Sequence, residues 1–182
     1  MTIIDLQKKY HFLPALDLDL LLAKTLHQTK EFIFLHPQYL VSIIQHLHFR
    51  WLVYLKKKGY SVAAIVGHKE FYGLDFLVNK HVLIPRPDTE LMVEEAVERI
   101  KGTREKEEEN IILIDVGTGS GCIPISILKN LTAPIQTFAI DVSRPALRIA
   151  KKNAKKHNVN IQFLHGNLLE PILKSYKLQP SL

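Results

Sequence analysis

The sequence predicts an α/β chain in two parts: a small helical segment, then the opening half of a doubly wound parallel sheet. Three observations carry that expectation. Apolar residues recur at helical spacing through the first sixty positions. A glycine-rich turn follows directly on the apolar run Ile111–Asp115. From that run onward, short apolar stretches alternate with amphipathic ones of helical length, the βαβ pattern of a parallel sheet.

In the first part, Leu16, Leu18, Leu20, Leu21, Leu22 and Ala23 predict a helix, with Asp17 and Asp19 in its first turn complementing the helix dipole. Thr29 is placed to cap a short helix from Lys30 to Leu35, which Pro37 stops. A longer helical pattern runs from Gln38 to Lys58 through Leu40, Ile43, Ile44, Leu47, Trp51, Leu52 and Leu55. Its end is marked by Lys56, Lys57 and Lys58 and then Gly59, with Trp51 expected in the core and the lysines in solvent. A helical domain over 1–60 follows.

Lys69–Tyr72 and Asp75–Val78 read as two strands of a hairpin around Gly73-Leu74. Asn79–Pro87 reads as an extended connection, because Pro85 and Pro87 disfavour helical geometry in the residues before them. The hairpin and this connection make a linker over 61–87, and a third region covers 88–182. Asp88 opens a helix with Met92, Val93, Ala96, Val97 and Ile100 on its apolar face, and the charged stretch Lys101–Asn110 reads as a solvated loop. Ile111–Asp115 is expected to be a strand buried on both faces. Then come a helix from Cys122 to about Leu131, a strand Gln136–Asp141, a helix opened by Ser143 and Pro145 running to about His157, and a strand Ile161–His165. Three strands and two helices are half of such a sheet, so the chain is expected to be partial.

The 182 residues hold 47% hydrophobic and 23% charged positions, globular proportions that argue against disorder or low complexity. One cysteine excludes an internal disulfide framework and fits a reducing compartment. An acid near the start of MTIIDLQKKY argues against a signal peptide, giving a cytoplasmic expectation with no membrane partner. His46 and His48 lie two apart and project from different helix faces, so no metal site is expected. The net charge of +6 is compatible with an acidic partner.

The chemistry lies in Asp115-Val116-Gly117-Thr118-Gly119-Ser120-Gly121. Alternating glycines let the backbone turn sharply and approach a ligand, and the following helix offers its free N–H groups. Asp141, twenty-two residues beyond Gly119 at the end of the next strand, is placed to accept both hydroxyl hydrogens of a ribose. A phosphate-binding loop of the Walker type needs Gly-Lys-Ser/Thr, and position 122 is Cys. The dinucleotide pattern needs glycine or alanine there, so NAD fits poorly. An acid two residues ahead of the first glycine suits a ligand with an amine and a sulfonium, S-adenosylmethionine. Asp115 either touches that ligand or braces the loop; Cys122 reads as a small residue starting a helix.

Gly67–Asn79 (GHKEFYGLDFLVN), Val82–Val97 (VLIPRPDTELMVEEAV), Asp115–Ile127 (DVGTGSGCIPISI) and Ala139–Ala154 (AIDVSRPALRIAKKNA) resemble the release factor glutamine methyltransferase family over essentially the whole chain. The glycine turn alone would indicate only a class I, Rossmann-like methyltransferase; Ile84–Glu90 makes the resemblance specific. The resemblance implies methyl transfer from S-adenosyl-L-methionine to the side-chain amide of the glutamine in the Gly-Gly-Gln loop of peptide chain release factors. It implies that Gly117, Thr118, Gly119, Ser120 and Gly121 wrap the methionine part of the cofactor, that Asp141 holds the ribose, and that Asn167 and Leu168 border the adenine. Many methyltransferases have aspartate where this chain has Asn167. Arg86, Pro87, Thr89 and Glu90 either line the site or pin the linker to the sheet.

The family's Asn-Pro-Pro-Tyr motif, which grips the substrate amide, is not in the sequence. No catalytic residue is therefore assigned, and that motif is expected to lie beyond Leu182. The chain is accordingly expected to be truncated before it, inactive alone, poorly soluble and weak in cofactor affinity. The helical domain is expected to grip the release factor, with nucleic acid entering only indirectly through the ribosome. Two alternatives stand beside this reading: an amino-methyltransferase acting on adenine N6 in nucleic acid, and a non-catalytic truncated binding module.

Overall fold

A computed structural model of the chain describes residues 1–104, 111–132 and 134–176. It divides into two compact units, 1–67 and 68–182. The division lies between Gly67 and His68, against a helical domain ending at 60 in the sequence reading.

The first unit is helical: α1 (Ile3–Lys9), α2 (Ala15–Leu26), α3 (Lys30–Leu35), α4 (Ile43–Lys57) and α5 (Val62–Val66). Helix α1 was not anticipated, although its start is written in the sequence. The Thr2 hydroxyl accepts the Asp5 N–H, and the Asp5 carboxylate accepts the Thr2 N–H at 2.8 Å, a reciprocal cap. In α2 the buried face is Leu18, Leu21, Leu22, Ala23 and Leu26, while Leu16 is exposed. Asp17 pairs with Lys56 at 2.9 Å and Asp19 accepts a hydrogen bond from Gln7 at 2.8 Å, so Lys56 is not a free solvated cation.

Thr29 caps α3 as expected, accepting the Phe32 N–H. Helix α4 starts at Ile43 rather than Gln38, because Ser42 and Gln45 form a capping box that sets its first turn. Beyond its end, Gly59 takes φ 91°, the left-handed geometry of a C′ glycine. Trp51 is not in the core: it is 54% exposed and stacks on His48 with ring centroids 6.1 Å apart. The core-facing stripe of α4 is Phe49, Leu52 and Val53, packed with Ile3, Leu6, Leu21 and Leu22.

The second unit opens with a hairpin, β1 (His68–Phe71) and β2 (Leu74–Leu77), one residue earlier than the sequence suggested. The turn is Tyr72-Gly73, both with positive φ (52° and 68°), the twist that suits a two-residue hairpin. Phe71 and Phe76 are buried in this unit's core with Val93, Val97 and Ile125. Pro87–Thr89 forms a single 3₁₀ turn before α6 (Glu90–Arg104). Positions 101–104 are thus helical and not loop, and 105–110 lie outside the described residues. Val93, Val97 and Ile100 are buried, but Met92 is exposed.

The sheet is β3 (Ile112–Val116), β4 (Gln136–Asp141) and β5 (Gln162–His165), parallel and in the order β3-β4-β5, with α7 (Cys122–Lys129) and α8 (Arg144–Lys156) as crossovers. Helix α9 (Glu170–Tyr176) follows. Positions 177–182, up to Leu182, lie outside the described residues. This is the α/β, Rossmann-like half-sheet that the alternation of elements predicts. Strand β3 departs from expectation: Ile112, Ile114 and Val116 are exposed, since among the described residues no helix covers that face. No helix among the described residues is long and apolar enough to cross a membrane.

Candidate functional site

Parallel register brings the C-terminal ends of three strands together. Asp115 lies opposite Ala139, Val116 opposite Ile140, and Asp141 opposite His165. The three segments leaving those ends, 117–121, 142–143 and 166–168, meet at one edge of the sheet. This is where an open α/β sheet takes its ligand.

The glycine turn is built from backbone. Gly117 and Thr118 both donate to the Ile140 carbonyl, at 2.8 and 3.0 Å, and Gly121 donates to Thr118 at 2.8 Å. Gly117, Gly119 and Gly121 have φ of 77°, 55° and 78°, values costly for any residue with a Cβ. Gly121 also has no room: a Cβ there would lie 3.1 Å from Ile125 Cδ1 and 3.2 Å from Ala150 Cβ. Helix α7 begins immediately after, and no side chain caps it.

Asp141 holds this turn to the sheet. One carboxylate oxygen accepts the Gly119 N–H at 2.9 Å and the other accepts the Ser143 N–H at 2.8 Å. Each oxygen retains a further lone pair. A cavity of about 250 Å³ opens beside it, lined by Val116, Gly117, Ile140, Asp141, Val142, Gly166, Asn167 and Leu168. Of the residues singled out in the sequence, Gly117, Asp141, Asn167 and Leu168 line this space. Leu168 holds φ 45° there.

Asp115, Thr118, Gly119, Ser120 and Gly121 form the strand end and turn alongside, outside the cavity lining. Burial pushes the Asp115 carboxyl above its usual range, and the nearby charge of Asp141 adds to this. Asp115 Oδ2, Thr118 Oγ1 and Ser120 Oγ are buried without a hydrogen-bond partner. Buried polar atoms left unpaired are costly. Here they cluster on the glycine turn and the strand end beside the cavity. The donor set fits a nucleoside with an ammonium and ribose hydroxyls: an acid and two hydroxyls at the turn, then a carboxylate one strand over. Burial also raises the Cys122 thiol, which leaves it an unreactive core group.

Arg86, Pro87, Thr89 and Glu90 are not among the cavity residues. Glu90 accepts the Tyr72 N–H at 2.8 Å, tying the start of α6 to the hairpin turn. The sequence reading assigns no catalytic residue and expects the amide-gripping motif beyond Leu182, which itself lies outside the described residues.

The sequence reading missed Asn153. It is fully buried on α8; Oδ1 accepts the Leu77 N–H at 2.8 Å, and Nδ2 donates to the Leu77 carbonyl at 2.9 Å and the Ser120 carbonyl at 2.8 Å. The hairpin and the glycine turn are thereby joined through one side chain. The signal was present, since Asn153 is the polar member of a buried face otherwise formed by Ala146, Leu147, Ala150 and Ala154.

Residues 107–180 match a family model described as a methyltransferase domain. A curated relative from Bacillus subtilis (strain 168), named release factor glutamine methyltransferase, is 40% identical over 130 residues, covering 71% of this chain and 44% of the relative. Relatives of the same name from Flavobacterium psychrophilum and Nitratidesulfovibrio vulgaris are 40% and 35% identical, covering 82% and 91% of this chain and 52% and 54% of their own lengths. The chain spans about half the length of the curated relatives it matches.

Proposed function

We infer that this chain, which belongs to the release factor glutamine methyltransferase family over the part it spans, is the cofactor-holding portion of an enzyme that methylates the glutamine amide of a peptide chain release factor. The observation that carries the reading is the glycine turn clasped to Asp141, with the polar atoms of Asp115, Thr118 and Ser120 left unpaired beside it.

Bound there, S-adenosylmethionine supplies an electrophilic methyl group on a sulfonium. Gly117–Gly121 let the backbone lie close against the methionine part, with Asp115 near its ammonium. Asp141 accepts from the ribose hydroxyls through its spare lone pairs while still bracing Gly119. Asn167 and Leu168 border the adenine. Arg86, Pro87, Thr89 and Glu90 shape the approach to the site, Glu90 by fixing the hairpin turn. An amide nitrogen is a weak nucleophile, so the transfer depends chiefly on in-line alignment and on acceptors for the amide hydrogens. Among the described residues no such acceptor set stands at the site, and methyl transfer draws on the remainder of the relatives' length.

The first unit is the release-factor grip. Ile43, Ile44, Leu47, Trp51 and Tyr54 recur at helical spacing along α4 and are all exposed, a contiguous apolar stripe of the kind that marks an interaction surface. The protein works in the cytoplasm, where its substrate is found.

Calorimetry with S-adenosylhomocysteine tests the cofactor assignment: heat with that nucleoside, lost in Asp141→Ala, is expected. Heat with NAD or ATP instead overturns it. Incubation of the complete gene product with a release factor, read by peptide mass, tests the substrate; a methyl group anywhere but on a glutamine side chain would refute it.

A further inference from the structure

Helix α8 carries a second feature that the methyl-transfer site does not use. Six of its thirteen residues are cations and none is an acid: Arg144, Arg148, Lys151, Lys152, Lys155 and Lys156. All six are exposed. Arg144, Arg148, Lys151 and Lys155 follow at steps of four, three and four, so they line one face over about 16 Å of helix. Among the described residues only Lys156 is paired, with Asp75. Like charges at i and i+4, as in Arg144/Arg148, Arg148/Lys152 and Lys151/Lys155, repel one another. Among the described residues no acid pairs with Arg144, Arg148, Lys151, Lys152 or Lys155 to relieve this repulsion.

The stripe also borders a concavity. Arg144, Leu147, Arg148, Lys151, Phe163 and His165 line a cavity of about 310 Å³ between α8 and strand β5. Three cations, an imidazole and an aromatic ring around one space suit a phosphorylated, planar ligand. His165 is already oriented, with Nε2 3.0 Å from the Val142 carbonyl. The apolar residues Ala146, Leu147, Ala150 and Ala154 of α8 are buried, and Ile149 is its one partly exposed aliphatic side chain. A helix that lies on a lipid surface needs a free apolar face to insert. Helix α8 has none, so its charges are suited to an anion met in water.

We propose that the cationic face of α8 and the cavity beside β5 bind a single-stranded nucleic acid, with phosphates along Arg144, Arg148, Lys151 and Lys155 and a base against Phe163. Aromatic stacking beside a cationic groove is the general means of holding such strands. The site is separate from the glycine turn and stands whether or not the cofactor assignment does.

The test is fluorescence anisotropy of the 182-residue chain with labelled twelve-nucleotide oligouridylate, and with the oligothymidylate equivalent to distinguish an RNA from a DNA source of the same backbone. Affinity should fall about four- to eight-fold for each doubling of salt, as expected for three or four phosphates neutralised on a single strand. Arg148→Glu with Lys151→Glu should weaken binding at least ten-fold, and Phe163→Leu several-fold, with melting temperatures unchanged for the surface pair. Lys8→Glu with Lys9→Glu, which alters net charge equally on exposed positions of α1, should leave binding within two-fold. Equal losses in the two charge-reversal pairs, insensitivity to Phe163→Leu, or binding to anionic phospholipid vesicles with none to either oligonucleotide would each overturn the proposal.

Discussion

Asn153 and Leu77, 76 positions apart in the chain, close a two-way hydrogen-bond pair: the side-chain oxygen accepts the Leu77 N–H and the side-chain amide donates to the Leu77 carbonyl. The same amide reaches Ser120. Removing it strands three backbone groups, the two of Leu77 partly buried and that of Ser120 buried. Asn153→Leu is therefore expected to cost about 2–4 kcal/mol in urea denaturation. Asn153→Asp keeps an acceptor for Leu77 but loses both donations and buries a carboxyl. Its deficit should grow as pH rises above the ordinary carboxylate range, because burial holds the folded-state pKa high. A deficit independent of pH would argue against that burial.

Gly121 and Gly117 share a positive φ but differ in surroundings. Gly117→Ala meets only the conformational penalty, about 1 kcal/mol. Gly121→Ala adds a Cβ against Ile125 and Ala150 and is expected to cost about 2–3 kcal/mol. Paired denaturation curves check the order, and equal losses would contradict it.

Asp115 is a buried acid whose folded-state carboxyl titrates above its unfolded value. The native state then holds its proton more tightly than the unfolded chain, so stability declines as pH climbs from the unfolded value through the folded one. Asp115→Asn removes that decline. Its melting temperature should exceed that of the parent by about 2–4 °C at pH 8 and converge with it near pH 4, while nucleoside affinity drops. A variant less stable at pH 8 would refute the assignment.

Trp51 and Phe49 sit two residues apart on α4 with opposite environments, one 54% exposed and the other fully buried. Phe49→Ala should cost about 3–5 kcal/mol. Trp51→Ala should change stability by less than about 1 kcal/mol yet weaken capture of a release factor by at least ten-fold, as removal of an aromatic anchor does. Pull-down or biosensor titration against the purified factor reads the second effect.

Much of the fold was legible because its determinants are local. The Thr29 cap, the left-handed Gly59 and the alternation of elements after Asp115 each follow from a few adjacent residues. The glycine turn could be read because its shape is set by the backbone at Gly117, Gly119 and Gly121. Trp51 misled because α4 has two apolar stripes, and periodicity marks a face without saying what lies opposite. Strand β3 misled for the related reason that an apolar run does not reveal whether both faces are covered. Asn153 was hidden because its partners lie 76 and 33 positions away. Glu90 was visible, but its bond to Tyr72 depends on a turn geometry that only the folded hairpin defines.

Strand β3 has β4 on one side and, among the described residues, no strand on the other. Its free row of amides and carbonyls runs from Ile112 directly to Val116, the residue bordering the cavity at Gly117. A segment docking along that row would extend the sheet and wall the ligand space in the same stroke. Complementation by a peptide added in trans would consequently register as tighter nucleoside retention long before it altered the helical signal in circular dichroism.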